Sequence, residues 1–409
     1  MNQIATSYVK LVLGVGQHDA DYVDAFYGPP EWRTEAEARG KRPLAEVRAE
    51  AEAVLASLTS QPAGTTGPEA GNLRLRREYL DRQLRSLISR IDLLAGAKMT
   101  FDEESKALYD AVAPHYDEPH FQQILDRLDA LLPGDGSVAE RLERYRQDFV
   151  IPRDRLDTVF QAAIGECRKR TAPHVDLPAE ESFVVEYVTD KPWSGYNWYQ
   201  GSYRSVIQVN TDLPIFIDRA VDLACHEGYP GHHVYNALLE KHLTRERGWP
   251  EFSVYPLFSP QSLIAEGTAN FGIEVAFPGP ERVAYERETL FPLAGLDPAR
   301  AEQYYTVQGL AQQLGYAGNE AARRYLDGTI PREQAVDWLV QYNLYARDRA
   351  DQRVRFIERY RSYVINYNWG QDLVKDYVER QGGTPDQPAR RWAVFVDLLS
   401  SPRLPSGLR

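Results

Sequence analysis

Residues 225–235, CHEGYPGHHVY, constrain this chain more than any other stretch. They hold three of its eight histidines, His226, His232 and His233, within eight residues at the end of an apolar run. Glu227 stands directly after the first. Imidazoles at that density, beside a carboxylate, suit a transition-metal site, zinc above all. Whatever the fold, it must bring these side chains and at least one further ligand to a common point.

The spacing excludes the simplest arrangement. In the familiar H-E-x-x-H signal of zinc peptidases, two histidines lie one turn apart on one helix and the Glu activates water. Here the fourth residue after His226 is Pro230, and the next histidines follow at six and seven. On an unbroken helix His232 would point about 240° away from His226, and His233 would share its face about 10.5 Å further along. Pro230 cannot donate to the carbonyl of His226, and Gly231 tolerates angles closed to other residues. A local bulge at Tyr229–Gly231 would swing His232 back to the metal. The alternative is that His233 ligates and His232 supports it. His232 is the preferred reading.

A catalytic zinc takes a third protein ligand and keeps a position open. Glu266, in LIAEGTANFGIE, lies on an apolar helical pattern where a carboxylate is costly unless paired or metal-bound. Glu274, two turns on, is its competitor. Asp222, one turn before His226, is placed to hold a histidine ring.

Composition narrows the remaining functions. A net charge of −12 and the absence of a basic patch argue against a nucleic-acid partner. Arg74, Arg76 and Arg77 alternate with acids, as on a solvated helix face. No apolar run approaches the roughly 20 residues of a membrane span, and no membrane partner is expected. The N-terminal VKLVLGVG lacks the features of a signal peptide. The two cysteines, Cys167 and Cys225, are expected to stay reduced, and the compartment reading is cytoplasmic.

Along the chain, helical patterns cover 1–20, 42–58, 73–94 and four segments between 101 and 171, with a turn region VDAFYGPPEW and a breaker-rich linker at 60–71. SFVVEYVT (182–189) and YRSVIQVN (203–210) read as strands, with the aromatic loop DKPWSGYNWYQGS between them. Helices then open at Pro214, near His233 and around Glu266. The expected fold is mainly α with a small mixed or antiparallel sheet, divided into a helical region 1–175 and a metal-binding catalytic region 176–409. Histidines on one helix and a glutamate on the next give it a gluzincin-like layout.

HEGYPGHH followed by AEGTAN resembles the domain-of-unknown-function-885 family, whose pattern is H-E-x-x-P-G-H-H and then E-G-x-A. VNTDLP, GLAQQLGYAGNEAARR, HDADYVDAFYGPPEW and YRSYVINYNWG are similar to that family too, so the resemblance spans most of the chain. It implies a mainly α, gluzincin-like zinc hydrolase with His226, His232 and Glu266 as ligands and Glu227 as base. Many members have E-G-W-A where this chain has Glu266-Gly267-Thr268-Ala269.

The chemistry expected is hydrolysis of a short peptide or small amide by water activated at one zinc ion. An oxyanion donor is also needed; Tyr316 is the first candidate and Tyr305 the second. Arg323 is a candidate for a substrate carboxylate, and Asn210 for substrate contact. His18 and the aromatic residues Trp193, Tyr196, Trp198 and Tyr199 are candidates to line the site. A non-peptide amide or ester substrate, and a non-catalytic binding protein, are the competing readings.

Overall fold

The computed structural model describes residues 1–61, 70–191 and 193–409. Most of the proposed linker at 60–71 lies outside the described residues. The fold is mainly α, with two small sheets. The first pairs β1 (Val23–Phe26) antiparallel with β5 (Val254–Pro256). The second is mixed: β2 (Ser182–Val188) runs parallel to the central β4 (Arg204–Asn210), and β3 (Gly195–Gly201) antiparallel to it. The alternating burial of β4 follows from its β-branched residues: Ser205, Ile207 and Val209 face inward, Arg204, Val206 and Gln208 outward.

Two segments expected to be irregular carry strands. The aromatic stretch between β2 and β4 is itself β3, and the Tyr/Gly/Pro turn region contains β1. Both strands are short and glycine-flanked, so their sequences read as loops. What fixes β1 is a partner far along the chain, β5, which no local pattern reports, whereas β3 pairs with β4 directly after it.

The halves on either side of residue 175 are interlocked. Besides the β1–β5 ladder, the helix Ala70–Leu94 sends Arg76 into a buried pair with Glu251 at 2.6 Å. The Arg76 guanidinium also lies 4.7 Å from the Trp249 ring. Arg76 therefore does not belong to a solvated face. From the same helix Tyr79 donates to Gln261 at 2.8 Å. Such a bidentate pair is costly to break, because the survivor would be a buried charge.

The expectation of reduced thiols is also corrected. Cys167, on the helix Leu156–Thr171, is disulfide-bonded to Cys225, 58 residues on, with Cα atoms 5.7 Å apart. Burial of both side chains in one core brings them together, and that proximity is a tertiary property. The cytoplasmic reading loses the support it drew from them. No described helix is long and apolar enough to cross a membrane.

Alkylation of the unreduced protein in denaturant should label no thiol, and labelling after reduction should find two. Reduction should lower stability by about 2–5 kcal/mol in a urea titration. Two reactive thiols without reductant would remove the pairing.

Candidate metal centre

The histidine motif begins on a helix, Asp218–Leu223, that widens into a π-helical turn over Ala224–Gly228. The chain then breaks through Tyr229–Gly231 and restarts as the helix His232–Leu238. Gly231 is required at the break: a Cβ there would stand 1.9 Å from the carbonyl oxygen of His226. Its amide donates to the Cys225 carbonyl at 2.9 Å, which folds the restarted helix back over the turn. Single-turn π-helices are frequent at functional sites for this reason: they re-aim a side chain without ending the element.

Through this break His226 and His232 meet with their Nε2 atoms 3.1 Å apart and their rings perpendicular. Glu266 projects between them from the helix Pro260–Ala276. Its Oε2 lies 3.3 Å from His226 Nε2 and 3.8 Å from His232 Nε2. These three residues form the one group among the described residues whose donor atoms could hold a metal ion. A tetrahedral ion with bonds of about 2.0–2.1 Å sets its ligands about 3.3 Å apart. The triad has that spacing, with one side left for a further ligand. Glu266 Oε1 accepts from the Tyr363 hydroxyl at 2.8 Å, whereas Oε2 is buried and has no hydrogen-bond partner. A buried carboxylate oxygen left in that condition fits a cation.

The supports of the triad are built in. His226 Nδ1 lies 2.9 Å from the amide oxygen of Asn270, and Asn270 in turn donates to the Tyr367 carbonyl at 2.9 Å. An amide oxygen only accepts, so the proton sits on Nδ1 and Nε2 presents its lone pair. Asn270, one turn after Glu266, fills the orienting role expected of Asp222. Asp222 is instead paired with Arg282 at 2.8 Å and Arg219 at 3.2 Å. Tyr363 and Tyr367 arrive because the helix Ile365–Arg380 packs closely on the glutamate helix at two glycines. A Cβ on Gly267 would lie 2.4 Å from the Gly370 carbonyl oxygen.

Charges in the site are strongly coupled. Burial raises Glu266, but the imidazoles of His226 and His232 beside it outweigh that and hold the carboxyl well below the usual range. Burial lowers His232, and Glu266, Glu227 and Asp24 reverse that, taking the imidazole up to about 9. Glu227 is 4% exposed and lies against β3, where a Cβ on Gly195 would come within 3.0 Å of its Oε1. Asn197 of the same strand donates to the Glu227 carbonyl at 2.7 Å. The Tyr367 hydroxyl lies within electrostatic reach of both Glu266 and Glu227.

The other expected residues are placed elsewhere. His233 is fully buried between Ser205 of β4 (2.8 Å) and Glu181 (2.9 Å), and anchors the histidine helix to the mixed sheet. Glu274 bonds Gln371 and Lys375, away from the triad. Tyr316 donates to Asp372 and packs on Tyr116. Tyr305 donates to Glu286. Arg323 is buried against Asp102, Glu320 and the Ala113 carbonyl. Asn210 holds the carbonyls of Lys191 and Trp193. Each is satisfied by structural partners, so none joins the triad. Of the aromatic residues, Tyr199 donates to buried Glu240, while Tyr196 donates to Asp24 of β1. His18 lies just past the first helix (Asn2–Gly16), its Nε2 buried with no hydrogen-bond partner among the described residues.

Sequence reading missed Asn270, Tyr363, Tyr367 and Asp24. Asn270 had a signal, since it falls one turn after Glu266 on the same face. Tyr363 and Tyr367 are two among 25 tyrosines; they stand one turn apart in YRSYVINYNWG, a segment marked by the family resemblance and by no chemical pattern. Asp24 is half-buried; burial chiefly raises its carboxyl, to about 6, against the lowering hydrogen bond from Tyr196.

No family model and no curated protein matches this chain. Among solved structures, it is similar to a candidate lipoprotein from Colwellia psychrerythraea, with 17% identity and a TM-score of 0.53 over 88% of this chain and 68% of that one. It also aligns with a candidate lipoprotein of unknown function from Shewanella oneidensis (13%, TM-score 0.44, 86% and 70%). A third alignment is with M32 carboxypeptidase from Deinococcus radiodurans R1 (12%, TM-score 0.38, 95% and 87%). Of the three, the first shows a shared fold.

Substituting His226→Ala, His232→Ala or Glu266→Gln should each remove bound metal from the gel-filtered protein, measured by elemental analysis. Glu274→Gln and Tyr316→Phe should leave it in place. Metal lost from Glu274→Gln and kept by Glu266→Gln would exchange their roles. Gly267→Ala should cost about 1–3 kcal/mol by forcing the two helices apart. A urea midpoint equal to wild type would show that the helices can yield.

Proposed function

We propose that this chain is a zinc-dependent hydrolase, a metallopeptidase that cleaves short peptides. The observation carrying this reading is the incomplete His226–His232–Glu266 ligand set, with the buried, otherwise unengaged Glu227 carboxylate next to the first histidine. Structural zinc sites are closed by four ligands and favour cysteine; two histidines, a glutamate and an open side suit catalysis. The resemblance of HEGYPGHH and AEGTAN to the domain-of-unknown-function-885 family supports the same assignment.

Zinc bound there would supply a Lewis acid for a scissile carbonyl and acidify water to a pKa of about 7. Glu227 is the base: it takes the proton from the attacking water and returns it to the leaving nitrogen. Asn270 keeps His226 in the ligating tautomer, and Tyr363 holds Glu266 by one oxygen so that the other faces the imidazoles. Tyr367, half-buried and near both carboxylates, replaces Tyr316 as the donor to the carbonyl oxygen. The disulfide suits an oxidising compartment.

Zinc-loaded wild type should cleave members of a mixed library of short peptides, followed by mass spectrometry. Glu227→Gln should retain zinc and lose about 10²–10⁴ in rate, and Tyr367→Phe should lose kcat with little change in KM. Zinc-loaded protein that cleaves esters or non-peptide amides and no peptide would give the site a different substrate class. Unchanged rates in Glu227→Gln would remove the mechanism.

A further inference from the structure

The segment HDADYVD in the first half carries three aspartates, and two of them are matched by arginine. Asp19 pairs with Arg90 at 2.5 Å, and Asp21 with Arg359 at 2.6 Å. Asp24, on β1, forms no ion pair with an arginine or lysine among the described residues. One of its oxygens accepts from the hydroxyl of Tyr196, and the other accepts no hydrogen bond within the described chain. Tyr196 follows Gly195, the residue against which the Glu227 carboxylate lies, but points to the opposite face of β3, so Asp24 is tied to the strand that backs Glu227 from its other side. His232, Glu266 and Glu227 are all within electrostatic reach of Asp24.

The surroundings of Asp24 distinguish it from an ordinary surface acid. It is half-buried and held in place at one oxygen, so it is pre-oriented at little further entropic cost. A carboxylate in that position is stabilised best by a charge-assisted hydrogen bond from a cation. The Tyr196 ring stands 5.5 Å from Trp193 and 4.5 Å from Trp198, so an aromatic surface continues from the acid. Aromatic faces beside a carboxylate favour an ammonium group attached to an apolar body.

We propose that Asp24 binds the primary ammonium group of the substrate, with Tyr196 as the residue that positions it. The proposal rests on the peptidase reading for the identity of the substrate, a short peptide, but the ammonium site itself can be tested apart from hydrolysis. A primary ammonium can come from a free peptide N-terminus or from a lysine side chain. The chemistry recognised is the same, and the two sources are separable.

The test uses the zinc-loaded full chain. Binding of phenylalanine amide and of N-acetylphenylalanine amide is measured by calorimetry for wild type, Asp24→Asn and Tyr196→Phe. Hydrolysis is measured on peptides with a free or an acetylated N-terminus, each with and without an internal lysine. Wild type should favour the free amine by roughly ten- to hundredfold, the range of a hydrogen bond to a charged group. Asp24→Asn should lose that preference, read as the ratio of kcat/KM on free and acetylated peptides and carried by KM. Tyr196→Phe keeps the acid and should lose only part of the preference, which covers the case in which Asp24→Asn folds poorly. A preference that follows the internal lysine, and vanishes in Asp24→Asn, also supports the site and assigns the ammonium to the side chain. If no peptide is cleaved but wild type binds phenylalanine amide in an Asp24-dependent way, the peptidase reading falls and the ammonium site stands. Equal binding of the free and acetylated amides by wild type, or a preference that survives in Asp24→Asn, overturns the proposal.

Discussion

A carboxylate buried without a full complement of hydrogen bonds governs the centre of this molecule. Glu266 sits on a helix of which all but three of 17 residues are buried, and one of its oxygens has no partner. Leaving a charge so placed is costly unless an opposite charge or a metal meets it. The neighbouring structure is arranged around that demand. Two imidazoles face the free oxygen, a tyrosine holds the other, and an asparagine one turn away fixes the tautomer of the first imidazole.

Bringing those groups together takes two local departures from regular helix. The first is the π-helical turn and break between His226 and His232, which lets histidines six residues apart meet at their Nε2 atoms. The second is the glycine contact of Gly267 with Gly370, which lets two helices approach closely where Tyr363 donates to Glu266 and the Tyr367 carbonyl accepts from Asn270. In each case a side chain as small as a methyl would collide with a backbone carbonyl. The same residues that look like helix breakers in the sequence are the ones that make the geometry possible.

The first half of the chain is joined to this centre, and β1 shows how. It reaches across to pair with β5, and it carries Asp24 to the Tyr196 hydroxyl of β3. The buried Arg76–Glu251 pair and the Cys167–Cys225 disulfide tie further parts of that half to the elements around the histidines. The disulfide in particular fastens the residue preceding His226 to a neighbouring helix, so the start of the motif is covalently backed.

Much of this was legible in the sequence where the signal was local. Apolar periods located the helix around Glu266 and the long helix before Leu94, β-branched runs located β2 and β4, and the density of histidine marked the metal centre. The three candidate ligands were reachable by chemistry: a glutamate in an apolar helix and imidazoles beside a helix break are the side chains that come together as a group able to hold a metal. What only the tertiary structure decided is which groups meet. The choice of His232 over His233 depends on how the chain turns at Gly231 and on Glu181 and Ser205 claiming the other imidazole. Tyr316, Tyr305, Arg323 and Asn210 were eligible by residue type, but local partners hold each of them, and no spacing rule predicts those partners. Asp24 lies some 200 residues from the motif, and its position is set by a strand pairing whose energy comes from contacts between distant segments.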